Sequence, residues 1–519
     1  MARVLVTEVL ADAGLDVLKA AGHQVEVRLD LDRDGLIGAL QGVDALLVRS
    51  ATKVTAEVLE AADSLVVVGR AGIGLDNVDV EAATRRGVIV ANAPESNIIT
   101  VAEHTMALLL SVARHVPQAH SALVAGRWEK SKWEGVELHG KTLGVLGLGR
   151  IGALVAQRAA AFSMRVVAYD PYVSAEKARQ LGAELVDLPG LVAEADFITI
   201  HLPKTADTVG LVGKELLAKT KPGAFVVNVA RGGIIDEDAL YEALADGRLG
   251  GAALDVFATE PLTESPLLGL GNVVVTPHLG ASTTEAQDKA GVTVAEQVNL
   301  ALAGDFVPFA VNLPAGHLAE AVKPFVGVAE TLGSVFARLC DGMAPILEVS
   351  YEGALAEHDT GLLTLSVLKG LFAASEPVSY VNARTVAAER GVEVRETTST
   401  ASHDWVSLIT VCGGGHSVAG TAVGASGAPR LVMVDGHDVD AAPYRHMLLV
   451  RNDDRPGMIG AVGTAVGDAG VSIRNMAVGQ SPEGGTALMI LATETQVPDG
   501  VVERLGATPG IAGVRRIAL

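Results

Sequence analysis

The sequence predicts an α/β protein in which two doubly wound parallel-sheet domains are followed by two smaller α+β domains. Between residue 1 and about 310, short runs rich in Val, Ile and Leu alternate with Ala/Leu-rich helical stretches. Runs that are apolar throughout are typical of parallel strands covered on both faces, and they are too numerous for one sheet. After the linker VNLPAG at 311–316 the pattern changes, which predicts a different architecture for the rest of the chain.

The first 310 residues contain the strands of the two parallel sheets. The segment 98–279 carries a complete nucleotide-binding pattern and is predicted to be one domain. Residues 1–97 and 280–312, with a helix near 283–302, are predicted to form the other domain, which is therefore discontinuous. In chain order the predicted strands are ARVLVT, HQVEVRL, DALLVRS, SLVVVGRAG, GVIVANA, KTLGVLGLG, MRVVAYD, DFITIHLP, GAFVVNVA and NVVVTP.

The remaining residues divide into two smaller domains. Residues 313–445 begin with a helical stretch and continue with the strand-like runs ILEVSYEG, TTSTASHDWVSLITVCGGG and RLVMVDG. Residues 446–519 alternate in the order βαββαβ, which predicts a ferredoxin-like fold. The stretch GGGH at 413–416, next to Cys412, opens no recognisable helix, so we predict a β-hairpin turn there and not a phosphate loop or a thiol nucleophile.

Charge and composition exclude several functions. A formal net charge of −21 argues against nucleic acids and anionic membranes as partners, because these need a basic surface. No apolar run reaches the roughly 20 residues of a membrane helix, and MARVLVTEVLADAG lacks the features of a signal peptide, so we expect a cytoplasmic protein. Cys340 and Cys412 have no metal-ligand spacing, and no metal site is predicted.

The stretch KTLGVLGLGRIGALVAQ contains Gly147, Gly149 and Gly152 in the pattern G-x-G-x-x-G, between a predicted strand and a predicted helix. Such glycines permit a tight turn, a close approach of the backbone to a pyrophosphate, and close packing of helix on strand. The next strand ends at Asp170, where a carboxylate would bind the ribose hydroxyls and favour NAD over NADP. A glycine-rich turn beside an exposed aspartate is the alternative; the context favours a Rossmann domain.

Three ionisable side chains follow three further strands. Arg231 comes after FVVNVA, Glu260 after the strand that ends near Asp255, and His278 after NVVVTP. The carboxyl ends of parallel strands meet at one edge of a sheet, where ligands bind. Imidazole can exchange a hydroxyl proton, a carboxylate can hold the imidazole, and guanidinium can bind a substrate carboxylate. Each residue taken alone also fits a structural role, and spacing does not settle whether they meet.

These segments, in this order, resemble the NAD-dependent D-2-hydroxyacid dehydrogenase family throughout residues 1–310. The resemblance rests on the glycine motif, HLPKTADTVGLV, NVARGGIIDEDAL, LDVFATEP and TPHLGAST. It implies that Arg231 binds the substrate carboxylate and carbonyl, that Glu260 partners the histidine, and that His278 is the acid/base. It also implies cofactor contacts from Ile73, Arg150, Ile151, Leu202, Val229, Ala230, Asp255, Gly280 and Ala281, besides the three glycines and Asp170.

The first domain carries residues that resemble those of the phosphoglycerate-oxidising branch of this family. There the resemblance implies that Arg49, Ser50, Lys53, Arg70 and Gly72 bind the substrate phosphate and carboxylate. Two cations at i, i+4 suit a phosphate in so acidic a protein, although solvated loop charges are the alternative. Relatives also place a tryptophan and a cation where Trp128 and Lys130 lie, reaching the site of an adjacent subunit; here the cation is Lys and not Arg.

The last two hundred residues resemble the long form of that branch, in which an intervening domain is followed by an ACT domain. The resemblance implies homo-oligomers, dimers or tetramers, that pair ACT domains through sheet edges and bind L-serine as an allosteric effector. The effector positions fall on Asn452, Asp454 and Ser472, of which only Asp454 is of the customary type. A second anion site found in some relatives is not predicted, because Arg430 fits but the second expected arginine falls on Ala442.

The resemblance therefore implies an NAD-dependent oxidation of 3-phospho-D-glycerate to 3-phosphooxypyruvate, the first step of phosphorylated L-serine biosynthesis. Feedback by L-serine and a side reduction of 2-oxoglutarate to 2-hydroxyglutarate are expected with it. Two alternatives stay open. The chain could act on another substrate of the family, such as glycerate, hydroxypyruvate or lactate, or it could be a non-catalytic NAD-sensing protein.

Overall fold

The computed structural model of the chain describes residues 1–313, 319–340, 342–375, 378–402, 404–424 and 427–519. Residues 314–316 of the predicted linker VNLPAG (311–316) therefore lie outside the described residues. The strands of the described parts form four sheets, two fully parallel, one mixed and one antiparallel. None of the helices in these ranges is both long enough and apolar enough to cross a membrane.

The first sheet has five parallel strands in the order β2-β1-β3-β4-β5. Its apolar strands are buried beneath helices, as the sequence predicts, except the edge strand Gln24–Val27, which is partly exposed. The strands are β1 (Arg3–Val6), β2 (Gln24–Val27), β3 (Ala45–Val48), β4 (Val67–Arg70) and β5 (Ile89–Ala91), and the helices are α1 (Asp12–Ala20), α2 (Arg33–Ala39), α3 (Ala56–Ala61) and α4 (Val80–Arg85).

The second sheet has seven parallel strands in the order β12-β11-β10-β9-β6-β7-β8. The order reverses between β6 and β9, which is where open α/β sheets bind ligands. The helices are α5 (Ile98–Ala113), α6 (Val116–Val124), α7 (Arg150–Ala161), α8 (Ala175–Gln180), α9 (Leu188–Glu194), α10 (Lys214–Leu217) and α11 (Glu237–Ala245), and the strands are β6 (Thr142–Leu146), β7 (Arg165–Tyr169), β8 (Glu184–Leu185), β9 (Phe197–Ile200), β10 (Ala224–Asn228), β11 (Leu249–Leu254) and β12 (Val273–Val275). The pattern does not predict β8, because two residues show no periodicity.

Helix α12 (Thr284–Ala303) returns the chain to the first sheet. It approaches α1 so closely that a Cβ atom on Gly14 would lie 2.7 Å from the carbonyl carbon of Gly291. Val294 and Val298 of the same helix press on Gly69 of β4, where a Cβ atom would lie within 3 Å of both side chains. The first sheet is thus covered by a helix that lies almost two hundred residues further along the chain than β5.

The third sheet is mixed, with the order β14-β13-β15-β16-β17-β18. Its elements are α13 (Phe325–Leu339), β13 (Ile346–Gly353), α14 (Gly361–Phe372), α15 (Ala383–Glu389), β14 (Glu393–Ser399), β15 (Ser407–Gly413), β16 (His416–Val423), β17 (Ala428–Val434) and β18 (His437–Ala441). The predicted α+β class is confirmed, but the sequence pattern does not predict the two helices α14 and α15 between β13 and β14. GLLTLSVLKGLF forms α14, which is apolar on nearly every face because it is buried, so it lacks the amphipathic period of a surface helix.

The GGGH stretch is a hairpin turn, which confirms that prediction. Gly413 pairs with His416 across β15 and β16, and Gly414 and Gly415 both adopt the left-handed conformation, with φ of +55° and +84°. That conformation is the one that a two-residue hairpin of this type requires.

The last sheet is antiparallel with the order β20-β21-β19-β22. Its elements are β19 (His446–Asp453), α16 (Met458–Gly467), β20 (Ile473–Gln480), β21 (Thr486–Thr493), α17 (Asp499–Gly506) and β22 (Ile511–Ala518), which confirms the predicted βαββαβ order. Strand β20 lies against β18 of the preceding sheet: a Cβ atom on Gly479 would lie 2.1 Å from the carbonyl oxygen of Asp438.

Candidate active site

A cavity of about 690 Å³ lies between the first and second sheets. Its walls come from loops at the carboxyl ends of strands in both sheets, as expected for parallel α/β proteins. Among the residues that line it are many of those predicted from the sequence: Arg49, Ser50, Lys53, Arg70, Gly72 and Ala281 from the first unit (residues 1–97 and 280–312), and Glu260 and His278 from the second (residues 98–279).

The imidazole of His278 is held by a carboxylate. Its Nδ1 lies 2.7 Å from Oε2 of Glu260, while Oε1 of Glu260 accepts the backbone N–H of Phe257 at 2.9 Å. A ring that donates through Nδ1 presents Nε2 as a proton acceptor. His278 has a left-handed φ of +56° and a side chain about half exposed. The arrangement can therefore accept a proton from a molecule in the cavity.

Arg231 follows β10 and reaches across to the first unit. Its Nε lies 3.4 Å from Oδ2 of Asp76, which lines the cavity. Its Nη1 donates to the carbonyl of Ala230 at 2.7 Å, and its own carbonyl accepts from Nδ2 of Asn228 at 2.9 Å. The guanidinium packs on Gly74, where a Cβ atom would lie 2.3 Å from Nη2. Arg231 is thus paired with a carboxylate at the edge of the cavity.

Arg70 is a largely buried cation at the end of β4. Burial, and the nearby charge of Arg231, lower the pKa of Arg70 to about 10. Its Nε finds no hydrogen-bond partner among the described residues. Gly72 makes room for this side chain, since a Cβ atom there would lie 1.8 Å from Nη1. A buried cation without full compensation is costly unless an anion binds beside it.

The glycine motif lies at the switch point of the second sheet. Gly147 has φ of +93°, and a Cβ atom on Gly152 would lie 2.0 Å from the carbonyl oxygen of Gly147. A Cβ atom on Gly149 would meet no atom within 4 Å, so this glycine faces open space at the N-terminus of α7. Oδ2 of Asp170 accepts the N–H of Leu148 at 2.8 Å. This turn, helix end and carboxylate fit the pyrophosphate and ribose of NAD.

The other predicted cofactor residues lie at the glycine motif or in loops after strands of the two parallel sheets. Leu202 packs on Gly147, and Val229 and Asp255 both pack on Gly280. The N–H of Ala230 donates a hydrogen bond to Oδ1 of Asn228, and the carbonyl of Ile73 accepts one from Nδ2 of Asn92 at 2.7 Å. Arg150 and Ile151 begin α7, where Arg150 pairs with Glu95 at 3.3 Å.

The carboxylate of Asp255 accepts hydrogen bonds from four groups of the protein itself. Its side chain is 1% exposed and accepts hydrogen bonds from Nε2 of His104 (3.2 Å), the hydroxyl of Thr276 (2.5 Å) and the N–H groups of Leu279 and Gly280 (2.7 and 2.8 Å). Burial raises the pKa of Asp255, but these hydrogen bonds outweigh it and leave the pKa below its usual value. The carboxylate therefore fixes the turn that follows His278.

Sequence reasoning missed three residues that organise this site. They are Glu8, whose carboxylate accepts hydrogen bonds from the loop after β3, Asp76, which forms an ion pair with Arg231, and His104, which is hydrogen-bonded to Asp255. No motif marks Glu8 or Asp76, because their partners are distant in sequence. The one available signal is His104 itself, a polar residue in the apolar helix α5.

Trp128 and Lys130 lie elsewhere. Trp128 is 82% exposed, and with Lys130, Ser131 and Glu134 it lines a separate, open depression. The structure of one chain does not bring these two residues into the main cavity.

The predicted effector residues do not converge on a cavity comparable to that between the first two sheets. Asn452 is 2% exposed, and its Nδ2 donates to the carbonyl of Asp453 at 2.6 Å. Asp454 is exposed and accepts from Gln480 at 2.9 Å, and Ser472 is an exposed residue just before β20. Arg430, the possible anion ligand, is paired with Asp440 at 2.9 Å.

Three family models match the chain, in the order of the sheets. The D-isomer specific 2-hydroxyacid dehydrogenase NAD binding domain matches residues 106–280, the D-3-phosphoglycerate dehydrogenase intervening domain matches 321–435, and the ACT domain matches 446–510. Together these models span the glycine motif, Glu260 and His278 in the second unit, and both smaller domains.

Relatives match over nearly the full length. D-3-phosphoglycerate dehydrogenase from Mycobacterium tuberculosis is 49% identical over 97% of both chains, and that from Bacillus subtilis is 39% identical over 100% of both. Among solved structures, the TT0316 protein of Thermus thermophilus is 37% identical with a TM-score of 0.56, over 60% of this chain and 99% of that one. D-lactate dehydrogenase of Aquifex aeolicus, complexed with NAD and lactic acid, is 27% identical with a TM-score of 0.52, over 58% of this chain and 96% of that one.

Proposed function

Because the chain belongs to the D-3-phosphoglycerate dehydrogenase family and is an NAD-dependent oxidoreductase, we propose that it oxidises 3-phospho-D-glycerate to 3-phosphooxypyruvate. This reaction is the first step of phosphorylated L-serine biosynthesis. One observation carries the choice of substrate: in a chain of net charge −21, the cationic residues Arg49, Lys53 and Arg70 line the same cavity as His278. A substrate with a phosphate at one end and a reacting carbinol at the other fits that polarity.

In the proposed reaction His278 is the base. Its Nε2 takes the hydroxyl proton at C2 of the substrate, and Glu260, 2.7 Å from Nδ1, stabilises the imidazolium that results. Arg231 binds the α-carboxylate and polarises the forming carbonyl. NAD, held by the glycine loop and Asp170, would supply the redox chemistry by accepting the hydride of C2 with its electron pair. The products are the 2-oxo acid, NADH and a proton on His278.

We assign the cofactor site to the glycine loop and the strand ends beside it. Gly149 and the N-terminus of α7 would receive the pyrophosphate, and Asp170 would accept the ribose hydroxyls and repel a 2′-phosphate. The first unit, residues 1–97 and 280–312, would bind the substrate, and the second, 98–279, the cofactor. Closure of the two on the substrate would exclude water from the hydride path.

The test is a comparison of substrates. We expect kcat/KM for 3-phosphoglycerate, followed as NADH production, to exceed that for D-glycerate by about two orders of magnitude or more, because a phosphate adds charge-assisted hydrogen bonds. Equal values for the two substrates would favour glycerate or another unphosphorylated member of the family. A slower reduction of 2-oxoglutarate to 2-hydroxyglutarate is expected with NADH.

We also propose regulation by L-serine and a homo-oligomer, dimer or tetramer. The residues that support an assembly are predicted ligand residues that lie outside the main cavity of one chain. They are the exposed Trp128 beside Lys130, and the exposed Asp454 and Ser472 of the last domain. In the assembly the first two would reach the substrate site of an adjacent subunit, and the last two, with Asn452, would bind L-serine. Analytical ultracentrifugation with and without L-serine, followed by calorimetry with L-serine, tests both points.

A contact between domains supports such regulation. The hydroxyl of Ser379 donates to the carbonyl of Gly87 at 2.8 Å, in the turn that precedes β5, and a Cβ atom on Gly87 would lie 2.7 Å from Nδ2 of Asn382. The intervening domain thus touches the first unit directly, at the amino-terminal end of β5, the strand that pairs with β4.

A further inference from the structure

The loop Arg49–Lys53, which follows β3, carries three of the residues that line the cavity. Their side chains can only meet a phosphate if the backbone that carries them is fixed, since long cationic side chains on a mobile loop lose entropy when they bind. The structure shows two side chains that fix this backbone, and neither is among the site residues predicted from the sequence.

The first is Glu8, just beyond β1, the strand next to β3. Its Oε1 accepts the N–H groups of Arg49 at 2.8 Å and Thr52 at 3.0 Å, and its Oε2 accepts that of Ala51 at 3.1 Å. One carboxylate thus receives three backbone donors from one loop.

The second is Asn77, in the loop after β4. Its Nδ2 donates to the carbonyl of Arg49 at 2.9 Å and to that of Thr52 at 2.7 Å. Arg49 and Thr52, whose N–H groups donate to Glu8, therefore also accept hydrogen bonds through their carbonyls from Asn77. Asn77 follows Asp76, the partner of Arg231, so it links the Arg49–Lys53 loop to the region of the carboxylate-binding arginine.

A carboxylate beneath an anion site would normally repel the anion. Here the charge of Glu8 is directed at three N–H groups, each of which forms a charge-assisted hydrogen bond. Burial raises the pKa of Glu8, yet the hydrogen bonds from Thr52, Ala51 and Arg49 outweigh it and lower the pKa below its usual value. Glu8 is therefore ionised at neutral pH, and it holds the loop in that state.

We propose that Glu8, assisted by Asn77, is a positioning residue that makes the enzyme select phosphorylated over unphosphorylated substrates. It acts through the Arg49–Lys53 loop and touches no substrate itself. The inference rests on the proposed function, because the phosphate is the group that the loop would bind.

The experiment compares Glu8→Ala, Glu8→Gln and Asn77→Ala with the unmutated full-length protein. For each, kcat and KM are measured with 3-phosphoglycerate and with D-glycerate, and the Kd of NADH is measured by fluorescence. We expect Glu8→Ala to lower kcat/KM for 3-phosphoglycerate about 10- to 100-fold, the effect of one or two hydrogen bonds to a charged group, mainly through KM. The value for D-glycerate and the Kd of NADH should change less than about twofold.

The other variants should lower kcat/KM for 3-phosphoglycerate to different extents. Glu8→Gln keeps an oxygen for two of the donors but turns its NH₂ toward the third, so we expect an intermediate loss. Asn77→Ala should act in the same direction and serves if Glu8→Ala fails to fold. Glu26→Gln is the matched control, since Glu26 lies on neighbouring β2 and pairs on the surface with Arg28; it should leave the preference for phosphate unchanged.

Each outcome decides a separate point. An equal loss on both substrates, or a preference for the phosphorylated substrate that survives Glu8→Ala, would overturn the positioning role while the proposed function stands. If the unmutated protein shows no preference for 3-phosphoglycerate, the proposed function fails, and the inference built on it fails as well.

Discussion

The cleft between the first two sheets and the last domain differ in how their predicted ligand residues are held. In the cleft, His278 and Glu260 are hydrogen-bonded to each other, and the buried carboxylate of Asp255 fixes the turn that follows His278. In the last domain, Asn452 is buried and bonded to its own neighbour, while Asp454 is exposed. One set is organised within a single chain and the other is not.

The difference indicates what each region needs for its chemistry. Catalysis depends on groups preorganised to within a fraction of an ångström, and the cleft already brings His278 and Glu260 into contact within one chain. The effector site that we propose for the last domain would be completed only when two copies meet, so its residues need not converge within one chain. Four substitutions, taken from the largest expected effect to the smallest, can break or sharpen this contrast.

His278→Ala should have the largest effect. Loss of a general base lowers kcat by about 10²- to 10⁴-fold, while the Kd of NADH should stay within about twofold. Stopped-flow and steady-state NADH production measure the first, and fluorescence titration the second. His139→Ala, at an exposed histidine of the same unit, is the control. A kcat unchanged by His278→Ala would contradict an acid/base role and favour a non-catalytic NAD-sensing protein.

Glu260→Gln should lower kcat by about 10- to 100-fold, because it removes the charge that stabilises the imidazolium. In the double variant with His278→Ala, the second change should add almost nothing, since the two side chains act as a unit. Fully additive losses would mean that Glu260 does not act through the histidine. The bond of 2.7 Å in the structure would then be a structural contact alone.

Asp255→Asn should destabilise the protein. The amide cannot accept four hydrogen bonds, and the loss of about 2 kcal/mol lowers Tm by roughly 4–8 °C. Because the folded-state pKa of Asp255 is depressed below 3.8, its contribution to stability is complete above pH 3.8 and is lost as the pH falls through the folded-state value. The difference in Tm should therefore shrink in acid, as scanning calorimetry would detect.

Asp454, an exposed aspartate of the last domain, supplies the control for Asp255→Asn. Asp454→Asn should leave Tm unchanged within about 1 °C, because surface substitutions of this kind rarely alter stability. A large loss from Asp454→Asn, or none from Asp255→Asn, would remove the distinction between a preorganised cleft and an incomplete effector site.

Asp454→Ala should have the smallest effect, a several-fold increase in the Kd of L-serine by calorimetry, since only one of the three effector positions is of the customary type. Introducing a tyrosine at Asn452 should be tolerated poorly, because that side chain is 2% exposed. Calorimetry that detects no L-serine binding to the unmutated protein would remove the effector proposal.

The sequence predicted best those elements whose residue pattern follows directly from a physical requirement, such as burial of a strand on both faces or a tight turn. Apolar runs predicted the parallel strands, and the spacing of Gly147, Gly149 and Gly152 predicted a strand, turn and helix that the structure confirms. The residues lining the cavity follow the ends of these strands, which is why Glu260 and His278 could be named in advance. Their catalytic roles remain predictions that the variants above test.

The rest depends on contacts between residues far apart in sequence. Glu8 bonds residues more than forty positions away, and His104 bonds Asp255 across about 150, so no spacing marks either pair. Helix α14 was missed because burial makes it apolar on every side. The burial of Asn452 also followed from tertiary packing, since an asparagine at the end of a strand is usually exposed.

The close approach of α12 to α1, with Gly14 against Gly291, has a consequence for how the protein is made. A ribosome releases the first sheet early, yet the helix that covers it is translated only after the whole second unit. During that interval the face beside Gly69 stays open, and nascent chains with uncovered apolar sheets are prone to aggregate. The second unit, whose helices and strands are contiguous in sequence, can fold meanwhile, so the two halves of the cleft should mature in the reverse of their order in the chain.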